Sequence, residues 1–188
     1  MGVPIVTPTV GGDNNSWGTE LNTILNALNG ADYFAKRTSD GSSINSVTLA
    51  DDAVLQMTLP VGTFRVEAVV LATSPSGSDM KMAWAFSGTT TSAYRSGIGP
   101  TIQTTSVISA TAATTVGVVR SAAAGDTSTA ITSSTPYGTD GTNITRVSET
   151  GFLVVTVSGL LKLQFAQVVA AASMVVKAGS FLYARQVA

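Results

Sequence analysis

The chain contains no cysteine and no histidine in its 188 residues. Their absence removes disulfides, thiolate nucleophiles, imidazole metal ligands and every catalytic pair in which histidine activates serine or cysteine. Charge is scarce as well. Lys and Arg number 10 against 11 Asp and Glu, so charged residues make up 11% of the chain and the formal net charge is −1. An ordinary globular domain carries roughly 25% charged residues. A nearly neutral chain has no global field to draw it onto nucleic acid or an anionic membrane. No basic cluster and no glycine-rich phosphate loop with its lysine occurs. Long apolar runs are also missing: residues 168–176 are the most apolar stretch, well short of the ~20 residues a spanning helix needs. The first ten residues have neither a basic segment nor an apolar one, so no signal peptide is expected. These absences argue against an enzyme, a cofactor and a metal centre, and against nucleic-acid or membrane partners.

What remains is apolar and weakly polar. Hydrophobic residues are 44% of the chain and the mean hydropathy is +0.32. The length suits one domain with a short appendage. Residues 1–12, MGVPIVTPTVGG, hold two prolines and a glycine pair, which reads as an extended arm. Residues 15–28 carry the clearest helical pattern. Trp17, Leu21, Ile24, Leu25 and Leu28 form one stripe at the helical period. Asn15 or Ser16 supplies a cap, and Asn29-Gly30 a left-handed stop.

Beyond Gly30 the periodicity changes. Residues 31–43 are polar and glycine-bearing and read as a linker. From Ile44 to the C-terminus, Thr, Ser, Val and Ala alternate in strand-length segments broken by Gly and Pro. Strands are expected at 54–59, 63–72, 80–86, within 101–120, and at 151–157, 160–168 and 174–187. Arg65 and Glu67 should share one face and Phe64, Val66 and Ala68 the other; Met80, Met82, Trp84 and Phe86 should all point one way. Without crossover helices a parallel sheet is excluded. The expectation is a mainly β chain, an antiparallel jelly-roll β-sandwich spanning 44–188, preceded by arm and helix at 1–30. Residues 75–79 and 121–143 read as loops, the second long and exposed.

Each chemical candidate has a plainer structural explanation. Asp51 and Asp52 are the sole adjacent carboxylates; on a strand they face opposite ways, and a turn accounts for them better than a catalytic pair. Asp140-Gly141-Thr142-Asn143 has the composition of an oxygen-rich cation loop without the ligand spacing of an EF-hand. Trp84 belongs with the apolar face of its strand. Tyr94 and Tyr137 are the candidate glycan contacts. A glycan hydrolase would need two suitably spaced carboxylates, and spacing along this chain unites none.

The helix stripe needs a partner. Burying each large side chain is worth roughly 1.5–3 kcal/mol, so Trp17, Leu21, Ile24, Leu25 and Leu28 are expected at an interface. They can dock on the sandwich, on another copy or on a different protein. A sandwich so weakly charged is poorly protected against association, and a homotrimer packed through sheet faces is expected.

Residues 9–28, TVGGDNNSWGTELNTILNAL, resemble an N-terminal signature of tailed-bacteriophage virion proteins, in which an arm precedes a W-G-x-x-L-N-x-x-L-x-x-L helix. The matching positions are Trp17, Gly18, Leu21, Asn22, Ile24 or Leu25, and Leu28. Residues 59–64 (LPVGTF), 158–163 (SGLLKL) and 178–182 (AGSFL) resemble strands of trimeric jelly-roll modules of the tumour-necrosis-factor-like shape. The resemblance implies a capsid decoration (cement) protein. Its N-terminal segment and oligomeric base would bind the major capsid protein, or another virion protein, and stabilise the head shell. The alternative is a tail- or head-fibre module that recognises a host surface glycan. The location implied is the virion.

Overall fold

The computed structural model describes residues 32–75, 77–100, 117–121, 129–139, 141, 143–171 and 173–187. The arm and the helix expected at 15–28, with Trp17, Leu21, Ile24, Leu25 and Leu28, lie outside the described residues, as do Asp140 and Thr142.

The described chain is mainly β, with two antiparallel sheets and a single helical turn. In chain order the strands are β1 (Asp32–Lys36), β2 (Ala50–Leu59), β3 (Gly62–Thr73), β4 (Met80–Phe86), β5 (Thr89–Pro100) and β6 (Gly117–Ser121). After the turn α1 (Thr129–Thr132) come β7 (Thr135–Tyr137), β8 (Thr145–Val157), β9 (Gly159–Gln167), β10 (Val175–Val176) and β11 (Phe181–Gln186). One sheet has the order β1-β11-β3-β8-β5-β6, with β10 on β3; the other runs β2-β9-β4-β7.

Alternation explains why these segments pair as they do. On β3, Phe64, Val66, Ala68, Val70 and Ala72 are fully buried while Arg65 is exposed, as the period-two pattern requires. On β4, Met80, Met82 and Trp84 point into the core, while Phe86 is half-buried at the strand end. Leu55, Met57 and Leu59 of β2 and Leu161, Leu163 and Phe165 of β9 meet them from the same sheet. Leu153 and Val155 of β8 and Leu182 and Ala184 of β11 close the core from the other side.

Three expectations need correction. Residues 31–43 are not simply a linker, because residues 32–36 form β1, paired with β11 from Asp32↔Arg185 to Lys36↔Phe181. Polar composition concealed it: Asp32, Phe34 and Lys36 face solvent, so only Tyr33 and Ala35 turn toward the core. Residues 121–143 are not one exposed loop. Ile131 of α1 and Tyr137 of β7 are buried, and β7 pairs β4 through Met80↔Tyr137 and Met82↔Thr135. Finally, Asp51 and Asp52 sit not in a turn but at a register shift inside β2. Asp52 Oδ1 accepts the backbone N–H groups of Val54 (2.8 Å) and Leu55 (2.9 Å), which satisfies donors that the bulge takes out of the ladder.

Candidate functional site

The side chains of the seven-stranded sheet are arranged in rows across the strands. One row runs Asp32 (β1), Arg185 (β11), Arg65 (β3), Phe152 (β8) and Tyr94 (β5), each directly opposite the next. The row beside it is Phe34, Tyr183, Glu67, Thr150 and Ser96. All ten lie on the outer face, since their strand neighbours carry the core.

This face is aromatic and open. Phe34 is 62% exposed, Ile98 58% and Tyr94 43%. The Tyr94 and Phe152 rings stack with centroids 5.5 Å apart and planes at 18°. At the far edge Phe34 meets Phe181 at 5.8 Å. Arg65, Tyr94, Ser96, Thr150, Gly151, Phe152 and Val187 line a shallow depression of about 290 Å³. The Tyr183 hydroxyl donates to Asp32 Oδ1 (2.7 Å), and loss of that bond on ionisation, more than any other influence, raises its pKa above the usual tyrosine value. Arg185 stands 3.9 Å from the same carboxylate. Arg65 joins none of the ion pairs found among the described residues.

The two candidate glycan contacts therefore part company. Tyr94 is on the open face with an aromatic neighbour and a guanidinium in reach. Tyr137 is 1% exposed, and its hydroxyl donates to Glu149 Oε1 at 2.7 Å, so it cannot meet a sugar at the surface. Its ring lies over β5, where a Cβ on Gly97 would come within 2.0 Å of the Tyr137 hydroxyl oxygen.

Tyr137 belongs to a polar cluster between the sheets. Arg95 and Glu149 are each 1% exposed. Arg95 Nη1 donates to Glu149 Oε2 at 3.0 Å. Its Nη2 reaches the carbonyl of Ser133, the carbonyl of Met82 (3.4 Å) and Thr135 Oγ1 (3.1 Å). Burial pushes the Glu149 carboxyl above the ordinary glutamate range, against the opposing pull of Arg95 and of the Tyr137 hydroxyl. The Trp84 indole exerts a weaker pull on the same carboxylate, although its buried Nε1 makes no hydrogen bond of ordinary geometry. A single acid with its cation, sealed from solvent, is a structural clamp: it ties β5 and β8 to the segment that follows α1.

Asp51 and Asp52 do not converge. Asp51 turns outward to Lys162 (2.6 Å) and Gln164 (2.8 Å), whose hydrogen bonds hold its carboxyl below the usual aspartate value. Asp52 turns inward to Arg37, which donates through Nε (3.1 Å) and Nη2 (2.8 Å). Asp40 is held low mainly by its hydrogen bond from Lys177, then by the Ala178 N–H. Among the described residues no group of three or more acidic side chains is placed to hold a metal ion.

Pattern reading along the strands missed Arg95, Glu149, Phe34 and Phe152. The first two are ordinary charged residues in sequence, 54 positions apart. Phe34 was hidden in a polar segment. Phe152 had a visible signal, its outward parity on a strand whose even-numbered residues face away from Leu153 and Val155.

No protein-family profile matches the chain, and no curated protein matches it. Among solved structures it shows slight likeness to the VP2 subviral particle of infectious bursal disease virus, at 9% identity and a TM-score of 0.21, over 97% of this chain and 42% of that one. The Gx strain of the same virus gives 7% identity and a TM-score of 0.20, over 82% of this chain and 40% of that one. The chain thus spans about two-fifths of the length of these capsid structures, and superposition this poor carries no functional argument.

Proposed function

We propose that this protein is a structural component of a tailed-phage virion, a capsid decoration or cement protein. Its body is a jelly roll, and its segment 1–30 docks on the head shell. The observation that carries the reading is the strand order. With β5, β6 and β10 set aside, the remaining eight strands fall as β1-β11-β3-β8 and β2-β9-β4-β7. Numbered afresh, that is 1-8-3-6 against 2-7-4-5, an order that supports reading the body as the two interleaved Greek keys of a jelly roll, an architecture used by viral capsid and lectin domains. Fold alone does not assign function. Support for the virion comes from the resemblance of residues 9–28, from the 11% charge and from the open aromatic face. In this reading the protein is not an enzyme and works by burying apolar surface at capsomer junctions, where mass action favours the bound, folded state.

Sedimentation with purified heads tests it. Deletion of residues 1–30 is expected to abolish capsid binding while the β-sandwich keeps its folding transition. Undiminished binding by the truncated chain would overturn the assignment of roles.

The second reading is a fibre module that recognises a host surface glycan, and Tyr94 favours it: an exposed aromatic ring beside Arg65 and a shallow depression suits a sugar face. Tyr137 has no part in it. A glycan array without hits, together with hundreds of copies per virion, would dismiss this alternative.

A further inference from the structure

We propose that, before any head shell is met, the N-terminal segment lies on the outer face of this chain's own seven-stranded sheet. The stripe of Trp17, Leu21, Ile24, Leu25 and Leu28 then covers the aromatic side chains of that face. This goes beyond the reading above, which concerns the segment once a head is present. The first ground is where the chain enters the sheet. Asp32 opens β1, the strand at one edge, and stands on the outer face. Leu28 precedes it by four residues, so the stripe ends within about 14 Å of that edge. A helix with its side chains is about 10–12 Å across. Four residues therefore suffice to lift the chain from the edge onto the face. Phe34, the next outward residue of β1, is 62% exposed and is the first side chain such a helix would cover.

The second ground is charge. Among the described residues the face carries Lys36, Arg65, Arg146 and Arg185 against Asp32 and Glu67. Asp32 is already held by the Tyr183 hydroxyl and by Arg185. Residues 1–31 have the opposite balance: Asp13 and Glu20, with no Lys or Arg. Glu20 is three residues from Trp17 and four from Ile24, so on a helix it borders the stripe and reaches the face with it. The two acids of the segment match the two excess cations of the sheet. A second copy of the face would instead bring four more cations, and like charges set against each other across an interface are costly.

The third ground is size. From β1 to β5 the face spans four strand spacings, about 19 Å. Trp17 and Leu28 are eleven residues apart, about 17 Å along a helix. Laid across the strands from its entry at β1, the stripe extends from Phe34 to the depression beside Tyr94 and Phe152, and Trp17 is the residue that arrives there. The core between the sheets is closed without the segment, so releasing it to a head shell leaves the sandwich folded.

The test is acrylamide quenching of tryptophan fluorescence in the full-length chain, at micromolar concentration and again after dilution. The chain has two tryptophans and Trp84 is fully buried, so quenching reads Trp17. In the wild type Trp17 is expected to be shielded at every dilution. Tyr94→Asp and Phe34→Asp on the face, and Leu25→Asp on the segment, should each lower the ratio of covered to open segment by about tenfold, equivalent to ~1.4 kcal/mol. Glu20→Lys should act in the same direction by a smaller factor. A cooperative thermal transition verifies that the face variants are folded, and Leu25→Asp leaves the sandwich sequence untouched. A freely quenched Trp17 in the wild type overturns the proposal. So does shielding that disappears on dilution, which would make a second copy the cover, shielding that Tyr94→Asp and Phe34→Asp both leave unchanged, or shielding that Glu20→Lys strengthens. No capsid is present in these measurements, so they and the head-binding assay stand or fall separately.

Discussion

The two sheets distribute polarity in opposite ways. The four-stranded sheet follows the usual rule: Met82, Trp84, Leu161, Leu163 and Phe165 inside, with Asp51, Lys162 and Gln164 bonded to one another outside. The seven-stranded sheet partly inverts it. Its inner face holds the Arg95–Glu149 pair, and its outer face holds the stacked Tyr94 and Phe152. An ion pair sealed from water must be matched by hydrogen bonds to avoid a large desolvation cost, and aromatics left in water forgo the burial that would stabilise them. A sheet built this way uses its interior to specify geometry and leaves aromatic side chains open on its exterior. The four-stranded sheet uses its interior for cohesion and pairs its polar side chains with one another on its exterior.

The largest expected effect strikes the inverted sheet from inside. Glu149→Ala leaves Arg95 buried without its acid, and a loss of about 3–5 kcal/mol is expected in denaturant unfolding. Replacing both partners with apolar residues of similar volume (Arg95→Met with Glu149→Leu) should recover most of it. If Glu149→Ala costs no more than a surface substitution, the clamp does not exist. The matching apolar deletion in the other sheet, Leu163→Ala, is expected to cost about 2–5 kcal/mol with no such recovery by a charged pair.

A smaller effect separates the sheets through space-filling. Gly97→Ala forces the Tyr137 hydroxyl off Glu149, an overpacking expected to cost about 1–3 kcal/mol. Thermal unfolding of Gly97→Ala in a Tyr137→Phe background should recover part of that cost, because the clashing oxygen is gone.

The pH dependence also differs in sign between the two sheets. The folded state holds the Glu149 proton more tightly than the unfolded chain does. Its contribution to stability is therefore fully present below the ordinary glutamate value of 4.5 and is lost as pH rises through the raised folded value. Asp51 acts in reverse: its contribution is present above 3.8 and is lost as pH falls through its lowered folded value. Glu149→Gln should flatten the stability profile above pH 4.5, and Asp51→Asn should flatten only its acid end. A Glu149→Gln profile parallel to wild type throughout would contradict the assignment.

The smallest effect belongs to the conventional outer face. Lys162→Met removes the exposed contact with Asp51 and is expected to change stability by less than about 1 kcal/mol, a difference that added salt should shrink further.

How far the chain could be read in advance follows the same division. β4 stands at residues 80–86 as its alternation requires, and β3, β8 and β9 are recognisable from theirs. β5 was not, because its inward positions are Ala93, Arg95, Gly97 and Gly99, none of which looks like core. They are core because Tyr137 from the opposite sheet fills the space that the glycines leave. β7 escaped for the converse reason: three residues of strand and one tyrosine, set in Ala-, Ser- and Thr-rich sequence, carry no period. Tyr94 was singled out from sequence and stands on the open face; Tyr137 was singled out with it and is buried. Local composition around the two is alike, and only the chain's return across the sandwich distinguishes them.

Composition and period by themselves determined that this chain is mainly β, antiparallel, weakly charged and free of histidine and cysteine chemistry, because those properties are local or additive along the chain. The tertiary structure alone decided that Tyr137 is core while Tyr94 is surface, and that Arg95 finds Glu149 across 54 residues. It also aligned Asp32, Arg185, Arg65, Phe152 and Tyr94 in one row. Those outcomes depend on strand order and register, which long-range pairing sets and no short window of sequence contains.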